Sequence, residues 1–291
     1  KGEDVTDQFE SGVAIKNGVL NITKKPVVIQ SASDSKVYDG KPLTNSKVTF
    51  QDGKTFVEGE VKAEGVGSIT KAGSTKNTIK YTVADGYTLE NYSIEEDLGI
   101  LTVTKNSEAV TVTARSASKP YDGTALTAGY DWTAPAGYTV EAETSGSITD
   151  VGKTANKIDS YVVRDADGND VTDQFANIKT TDGTLEVTKR QVVLTSGSAT
   201  KEYDGKALTN GEVSGGDQFV AGEVSNIRAT GTITGVGKVK NTIKYDTENG
   251  FKAGNYQITE NPGTLEITAN TSAKIKVTAA SGSKIRKVVR F

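Results

Sequence analysis

Apolar and polar residues alternate in short runs along most of the chain. Ile79-Lys80-Tyr81-Thr82-Val83 alternates over five positions, and Leu101-Thr102-Val103, Leu185-Glu186-Val187 and Leu265-Glu266-Ile267 keep the same period. A side-chain period of two is that of a strand with one buried face. Val27-Val28-Ile29, Val110-Thr111-Val112 and Val192-Val193-Leu194 are β-branched or apolar runs of strand length, which suits a pleated, half-buried surface. No segment carries apolar residues at helical spacing over three turns. The pattern therefore predicts an all-β chain of short strands. Phe50 and Phe56 bracket Asp52-Gly53, which reads as a hairpin and its turn.

The strand pattern is periodic on a longer scale. Tyr38-Asp39-Gly40, Tyr121-Asp122-Gly123 and Tyr203-Asp204-Gly205 recur at intervals of about 80 residues, each followed at fixed distance by Leu43-Thr44, Leu126-Thr127 or Leu208-Thr209. That interval suits a small domain better than a solenoid repeat. Gly73, Asn77 and Ile79 are matched by Gly152, Asn156 and Ile158, and by Gly237, Asn241 and Ile243. The expected organisation is three tandem units at 25–105, 106–189 and 190–269, each of six or seven strands. Residues 1–24 read as the last strands of a preceding repeat, because Asp4-Val5-Thr6-Asp7-Gln8-Phe9 returns at Asp170-Val171-Thr172-Asp173-Gln174-Phe175. Residues 270–291 read as the opening strand of a further partial unit, with a basic tail at Lys284–Phe291. Linkers such as Thr104-Lys105-Asn106-Ser107-Glu108 are short, so the array is expected to be extended, semi-rigid and monomeric.

Composition narrows the chemistry. The chain has no Cys and no His, which removes disulfides, thiolate sites and the usual imidazole base of acyl-transfer chemistry. Together with the small repeat size, this points away from an enzyme and from a cofactor. A net charge of −3 with no basic stripe before the tail gives no electrostatic footprint for nucleic acid. No run of apolar residues is long enough for a transmembrane helix.

Tyr-Asp-Gly with Leu-Thr, a central Thr-x-x-Gly, Asn-Tyr or Asp-Gln-Phe, and a closing Gly-x-Leu-x-Val/Ile-Thr together resemble the MBG repeats of bacterial surface proteins. The resemblance covers about residues 25–269 and carries no catalytic motif. It implies β-grasp-like modules, with immunoglobulin-like sandwiches as the alternative. It also implies an extracellular, surface-attached protein in which the repeats form a stalk or spacer. The second functional reading is an adhesion module that binds a glycan or protein through loops of one repeat.

Several positions are candidates for sites. The Tyr-Asp-Gly residues Tyr38, Asp39, Gly40, Tyr121, Asp122, Gly123, Tyr203, Asp204 and Gly205 read as structural, since Asp-Gly favours a turn. Asp165, Asp167, Asn169, Asp170 and Asp173 form an oxygen-rich loop that could wrap Ca²⁺. The loop fails the EF-hand spacing, and a polar hairpin explains it equally well. Tyr130, Trp132 and Tyr138 could form an aromatic platform for a sugar, although Trp132 falls at the position of Phe50, and Tyr138 at that of Phe56 and Phe219. Core packing is therefore the plainer reading for these three. Asn77, Asn156 and Asn241 stand beside strands as turn-capping residues or as acceptors for an isopeptide crosslink to lysine.

Overall fold

A computed structural model of the chain describes residues 18–272 and residue 282. The expected strands within 1–17, the opening strand at 274–278 and the basic tail lie outside the described residues. Those described are all-β: strands joined by loops and single-turn 3₁₀ segments, with no α-helix among them.

The first repeat shows how the alternation is used. Its opening strand, Lys25–Ser31, lies between Val48–Phe50, antiparallel, and Tyr92–Asp97, parallel. Val27 and Ile29 occupy the inward face of this strand and are fully buried. The closing strand, Ile100–Thr104, lies between Asp34–Val37, parallel, and Gly73–Lys76, antiparallel; its Leu101 and Val103 point inward. Val61–Gly65 pairs with Ile79–Val83, and Leu43–Thr44 with Ser68–Ile69. The third repeat has the same order: Arg190–Ser196 between Val213–Ser214 and Tyr256–Asn261, and Gly263–Thr268 between Ala199–Glu202 and Gly237–Asn241. In the second, Gly183–Thr188 lies between Ala117–Pro120 and Gly152–Asn156.

Two local expectations change. The first repeat holds more strands than the six or seven anticipated, because several are pieces of two to four residues. Phe50 and Phe56 meet edge to face at 5.8 Å, but the segments that carry them do not pair as a two-stranded hairpin. Asp52 and Gly53 turn with positive φ, but Val48–Phe50 pairs back with the opening strand. The chain beyond the turn returns without a strand and delivers Phe56 to the core. The backbone on both sides of the turn bonds to the opening strand instead: the Gln51 N–H donates to the Val28 carbonyl at 3.0 Å, and the Val28 N–H to the Lys54 carbonyl at 3.1 Å.

The chain divides into two compact units. One comprises 1–111, 133–141 and 162–179; the other comprises 112–132, 142–161 and 180–291. In the first unit, Val27, Ile29, Phe56 and Tyr92 form a core with Tyr81 and Ile94 against it. Phe56 meets Tyr92 edge to face at 4.9 Å, a favoured aromatic geometry. In the second unit, Tyr121 and Val187 share a core with Val192, Leu194, Phe219, Ile243 and Tyr256, so residues of consecutive repeats fill one interior. Residues 18–24 form no strand, and Leu20 and Ile22 are exposed. Their sequence counterparts Leu185 and Val187 are buried on a strand flanked on both sides.

A polar centre fixes the crossing of segments in every repeat. Asn77, Asn156 and Asn241 are completely buried. Asn77 donates to the carbonyls of Ala32 at 2.9 Å and Asn45 at 2.8 Å, and accepts from the Gly67 N–H at 3.0 Å. Asn241 does the same with Gly197, Asn210 and Gly231, and Asn156 with Arg115, Ala128 and Gly146. A buried amide with all its main partners supplied holds three separate backbone segments in one geometry. The closing glycine is required nearby. A Cβ on Gly99, Gly183 or Gly263 would stand 2.5 Å from a backbone carbonyl oxygen of the opening strand's end.

Candidate functional site

The Tyr-Asp-Gly turn is a clip whose fourth member is a lysine two residues before the Tyr. Asp39 Oδ1 accepts from the Lys41 N–H at 2.9 Å, an Asx turn, and from Lys36 Nζ at 2.6 Å. Lys36 Nζ also donates to the Lys41 carbonyl. Lys119, Asp122 and Thr124 repeat the arrangement, as do Lys201, Asp204 and Lys206. The lysine hydrogen bond, followed by the turn N–H, holds Asp39, Asp122 and Asp204 below the usual carboxylate range. The lysine is visible in the sequence as Lys36-Val37-Tyr38, Lys119-Pro120-Tyr121 and Lys201-Glu202-Tyr203, yet the pattern alone did not single it out.

Tyr38 stands beside a concave surface. Within the first unit, Val37–Lys41, Asn106, Glu108, Pro135–Tyr138 and Asp165–Asp167 line a cleft of about 650 Å³. The structure thus brings together Tyr38, Asp39, Gly40, Tyr138, Asp165 and Asp167, candidates from three distant stretches. Three elements place them: the Asx turn after Asp34–Val37, the loop ending at Tyr138, and the hairpin loop after Ile158–Arg164. The Tyr38 and Tyr138 rings lie 6.4 Å apart, tilted, and Tyr138 meets Phe175 edge-on at 5.0 Å. Burial first, then nearby negative charge, raises the phenol of each tyrosine. For Tyr38 the charges are the Tyr138 phenol in its ionised form, then Asp165 and Asp39; for Tyr138 they are Asp39, Asp165 and Glu108. The cleft has aromatic walls and a negative rim, with Lys41 the one cation lining it among the described residues. It can offer ring faces and hydroxyls to a polar ligand; nothing in it resembles a nucleophile with a base.

The remaining candidates lie elsewhere. Tyr130 and Trp132 do not line the cleft. Trp132 is 40 % exposed, which corrects the core reading for that residue. Its sequence counterpart Phe50 is similarly open at 39 %, although the Phe50 ring meets the buried Phe56 edge to face at 5.8 Å. Tyr130 is half-buried on the same strand, Tyr130–Thr133. Tyr138 is half-buried, whereas Phe56 and Phe219 are buried.

The acidic loop is tied to its own backbone. Asp165 Oδ1 accepts from the Asp167 and Asn169 N–H groups, and Asn169 Nδ2 donates to the same carboxylate. Asp170 Oδ1 takes the Thr172 N–H and hydroxyl. These bonds lower both carboxyls. Asp173 is exposed on the 3₁₀ turn Thr172–Gln174. Among the described residues, no three Asp or Glu side chains gather at metal-ligating distance. The amides of Asn77, Asn156 and Asn241 face backbone carbonyls and one N–H each, as given above.

Among the described residues no helix is long and apolar enough to cross a membrane. Comparison with protein-family models and with curated protein sequences finds no match to this chain.

Proposed function

We propose that this chain is a non-catalytic spacer of a bacterial surface protein, built from three tandem β-grasp-like repeats and made to hold under tension. The observation that carries this reading is the pairing of the terminal strands. In the first repeat the opening strand Lys25–Ser31 runs parallel to Tyr92–Asp97, and the closing strand Ile100–Thr104 runs parallel to Asp34–Val37. The third repeat repeats both pairings. A pull on the two ends of such a repeat drags parallel neighbours past each other in shear. All ladder bonds then resist together, whereas unzipping would break them singly. The buried asparagines add cross-links of hydrogen bonds at the same level. The repeat pattern and its likeness to MBG modules support placement outside the cell.

An adhesive role is the second reading, favoured by the cleft that joins Tyr38, Tyr138 and Asp165. Aromatic faces beside hydroxyls and carboxylates suit a glycan or a cationic peptide group. An array of glycans and matrix proteins probed with the full chain separates the two. The spacer reading expects no saturable binding. The adhesive reading expects saturable binding that Tyr138→Ala and Asp165→Ala abolish.

A further inference from the structure

Tyr38 and Tyr121 begin the same tripeptide, but their hydroxyls meet different surroundings. In the second unit, Tyr121 Oη donates to Glu223 Oε1 at 2.5 Å, and Tyr256 Oη donates to Glu223 Oε2 at 2.8 Å. The Tyr121 and Tyr256 rings meet edge to face at 5.5 Å. A tight turn carries the carboxylate: the Glu223 N–H donates to the Val220 carbonyl at 3.2 Å, and Gly222 has positive φ. In the first unit, Pro135–Tyr138 forms the same turn. The Tyr138 N–H donates to the Pro135 carbonyl at 3.2 Å, and Gly137 has positive φ. Tyr138 therefore takes the place of Glu223, although spacing along the repeat matches it to Phe219. Phe175, which meets the Tyr38 ring edge-on at 6.5 Å, takes the place of Tyr256.

This exchange leaves Tyr38 without the carboxylate that its counterpart has. Tyr38 is 4 % exposed, as deep as Tyr121 at 3 %, yet its hydroxyl has no hydrogen-bond partner among the described residues. None of their unpartnered side-chain oxygens is sealed from solvent, so this hydroxyl opens into the cleft that Tyr38 lines. The Tyr138 hydroxyl is likewise unpartnered among the described residues and lines the same cleft. Of the four carboxylates around them, Asp39 and Asp165 are engaged by their own turns. Glu108 and Asp167 are exposed and make no side-chain hydrogen bond or ion pair among the described residues. A ligand carboxylate would be repelled here. A neutral sugar would gain nothing from the charge. A cation gains both charge-assisted bonds to carboxylates and the face of a tyrosine ring.

We propose that this cleft binds the guanidinium or ammonium head of an arginine or lysine in a basic peptide segment. Glu108 and Asp167 supply the opposing charge, and the Tyr38 and Tyr138 hydroxyls accept from further N–H groups of the head. At about 650 Å³ the cleft exceeds one such head and has room for the flanking peptide backbone. A cation site here rests on the adhesive reading of the cleft and narrows its ligand to one chemistry.

Titration calorimetry of the full chain with the peptide Gly-Gly-Arg-Gly-Gly, its lysine counterpart and its citrulline counterpart tests this. Citrulline keeps the shape of arginine without the charge. At least one cationic peptide should bind saturably, and the citrulline peptide at least about tenfold more weakly. Combining Glu108→Gln with Asp167→Asn should weaken the cationic peptide by about tenfold or more. The urea midpoint should stay unchanged, since neither side chain holds the fold. Tyr38→Phe should also weaken binding, because it keeps the ring and removes the free hydroxyl. Equal binding of the citrulline peptide, affinity unchanged in the double variant, or free arginine bound as tightly as the peptide overturns the proposal. A neutral glycan that binds and is lost in Tyr138→Ala, with no binding of either cationic peptide, overturns it while leaving the adhesive reading in place. No saturable binding of any glycan or peptide overturns both.

Discussion

Asn241 Oδ1 accepts the Gly231 N–H at 3.0 Å, while the Asn241 amide nitrogen spans to the carbonyls of Gly197 and Asn210. The residue is fully buried, and a Cβ on Gly231 would stand 2.6 Å from Asn241 Oδ1. The pair fits only as amide against bare backbone.

Replacing this amide should be costly. Asn241→Ala strands one donor and two acceptors away from water, at about 1–3 kcal/mol for each group left unpaired. Urea unfolding should show a loss of about 3 kcal/mol or more. Asn241→Asp should be at least as damaging despite its matching shape, because a carboxylate has no donor for the two carbonyls and its charge is buried without a partner. A milder Asp variant would contradict the arrangement.

Glycine positions should separate sharply. Gly263→Ala drives a methyl against the Ser196 and Gly197 carbonyl oxygens, both backbone atoms that cannot swing aside, and should cost about 1–3 kcal/mol or more. Gly254→Ala has open space and an ordinary φ, so it should stay within about 0.5 kcal/mol. Denaturant midpoints for the two variants check this directly.

Acid should weaken the clips. Asp39, Asp122 and Asp204 titrate below their unfolded range because lysine bonds favour the carboxylate. Their stabilisation is thus present above an unfolded pKa of about 4 and is lost as pH falls through the folded values. Replacing all three by Asn should lower the melting temperature at pH 7. The gap from the unaltered chain should narrow as pH drops below about 4. A constant gap would show that the lysine pairing contributes nothing.

Alkali should act on the tyrosine pair through the opposite sign. Burial first, and Glu223 in addition, push the Tyr256 phenol up to about 12, and burial followed by Glu223 raises Tyr121. The neutral phenols stabilise the fold fully below the unfolded value of about 10, and this is lost as pH rises through the folded one. Tyr121→Phe should cost about 1.5–3 kcal/mol at neutral pH, the range for a hydrogen bond to a charged group. Tyr203→Phe should cost almost nothing, since that ring is open.

Much of the architecture was legible. The period of two marked the opening and closing strands, and the long period marked the recurring Asn and Gly positions. The closing glycines were visible as a pattern, although their reason, a carbonyl 2.5 Å from an added Cβ, depends on a strand about 70 residues away. The same limit hid the different fates of identical text. Tyr121 and Tyr203 begin the same tripeptide, but Tyr121 is buried by Glu223 and Tyr256, which no local reading supplies. Trp132 was misjudged because position in the repeat was taken to mean burial, and its counterpart Phe50 is itself half open. The cleft joins residues 39, 138 and 165, whose nearness follows from loop placement.

The claim that these repeats are built to hold under tension is tested most directly by pulling single molecules of the full chain in two directions. Force applied along the chain, at the start of the opening strand and the end of the closing strand of one repeat, loads Lys25–Ser31 and Ile100–Thr104 in shear. Force applied through residues on Val61–Gly65 and Ile79–Val83, near their shared end, peels an antiparallel pair. The account predicts a clearly higher unfolding force along the chain than for peeling. Equal forces, or easier unfolding along the chain, would contradict it.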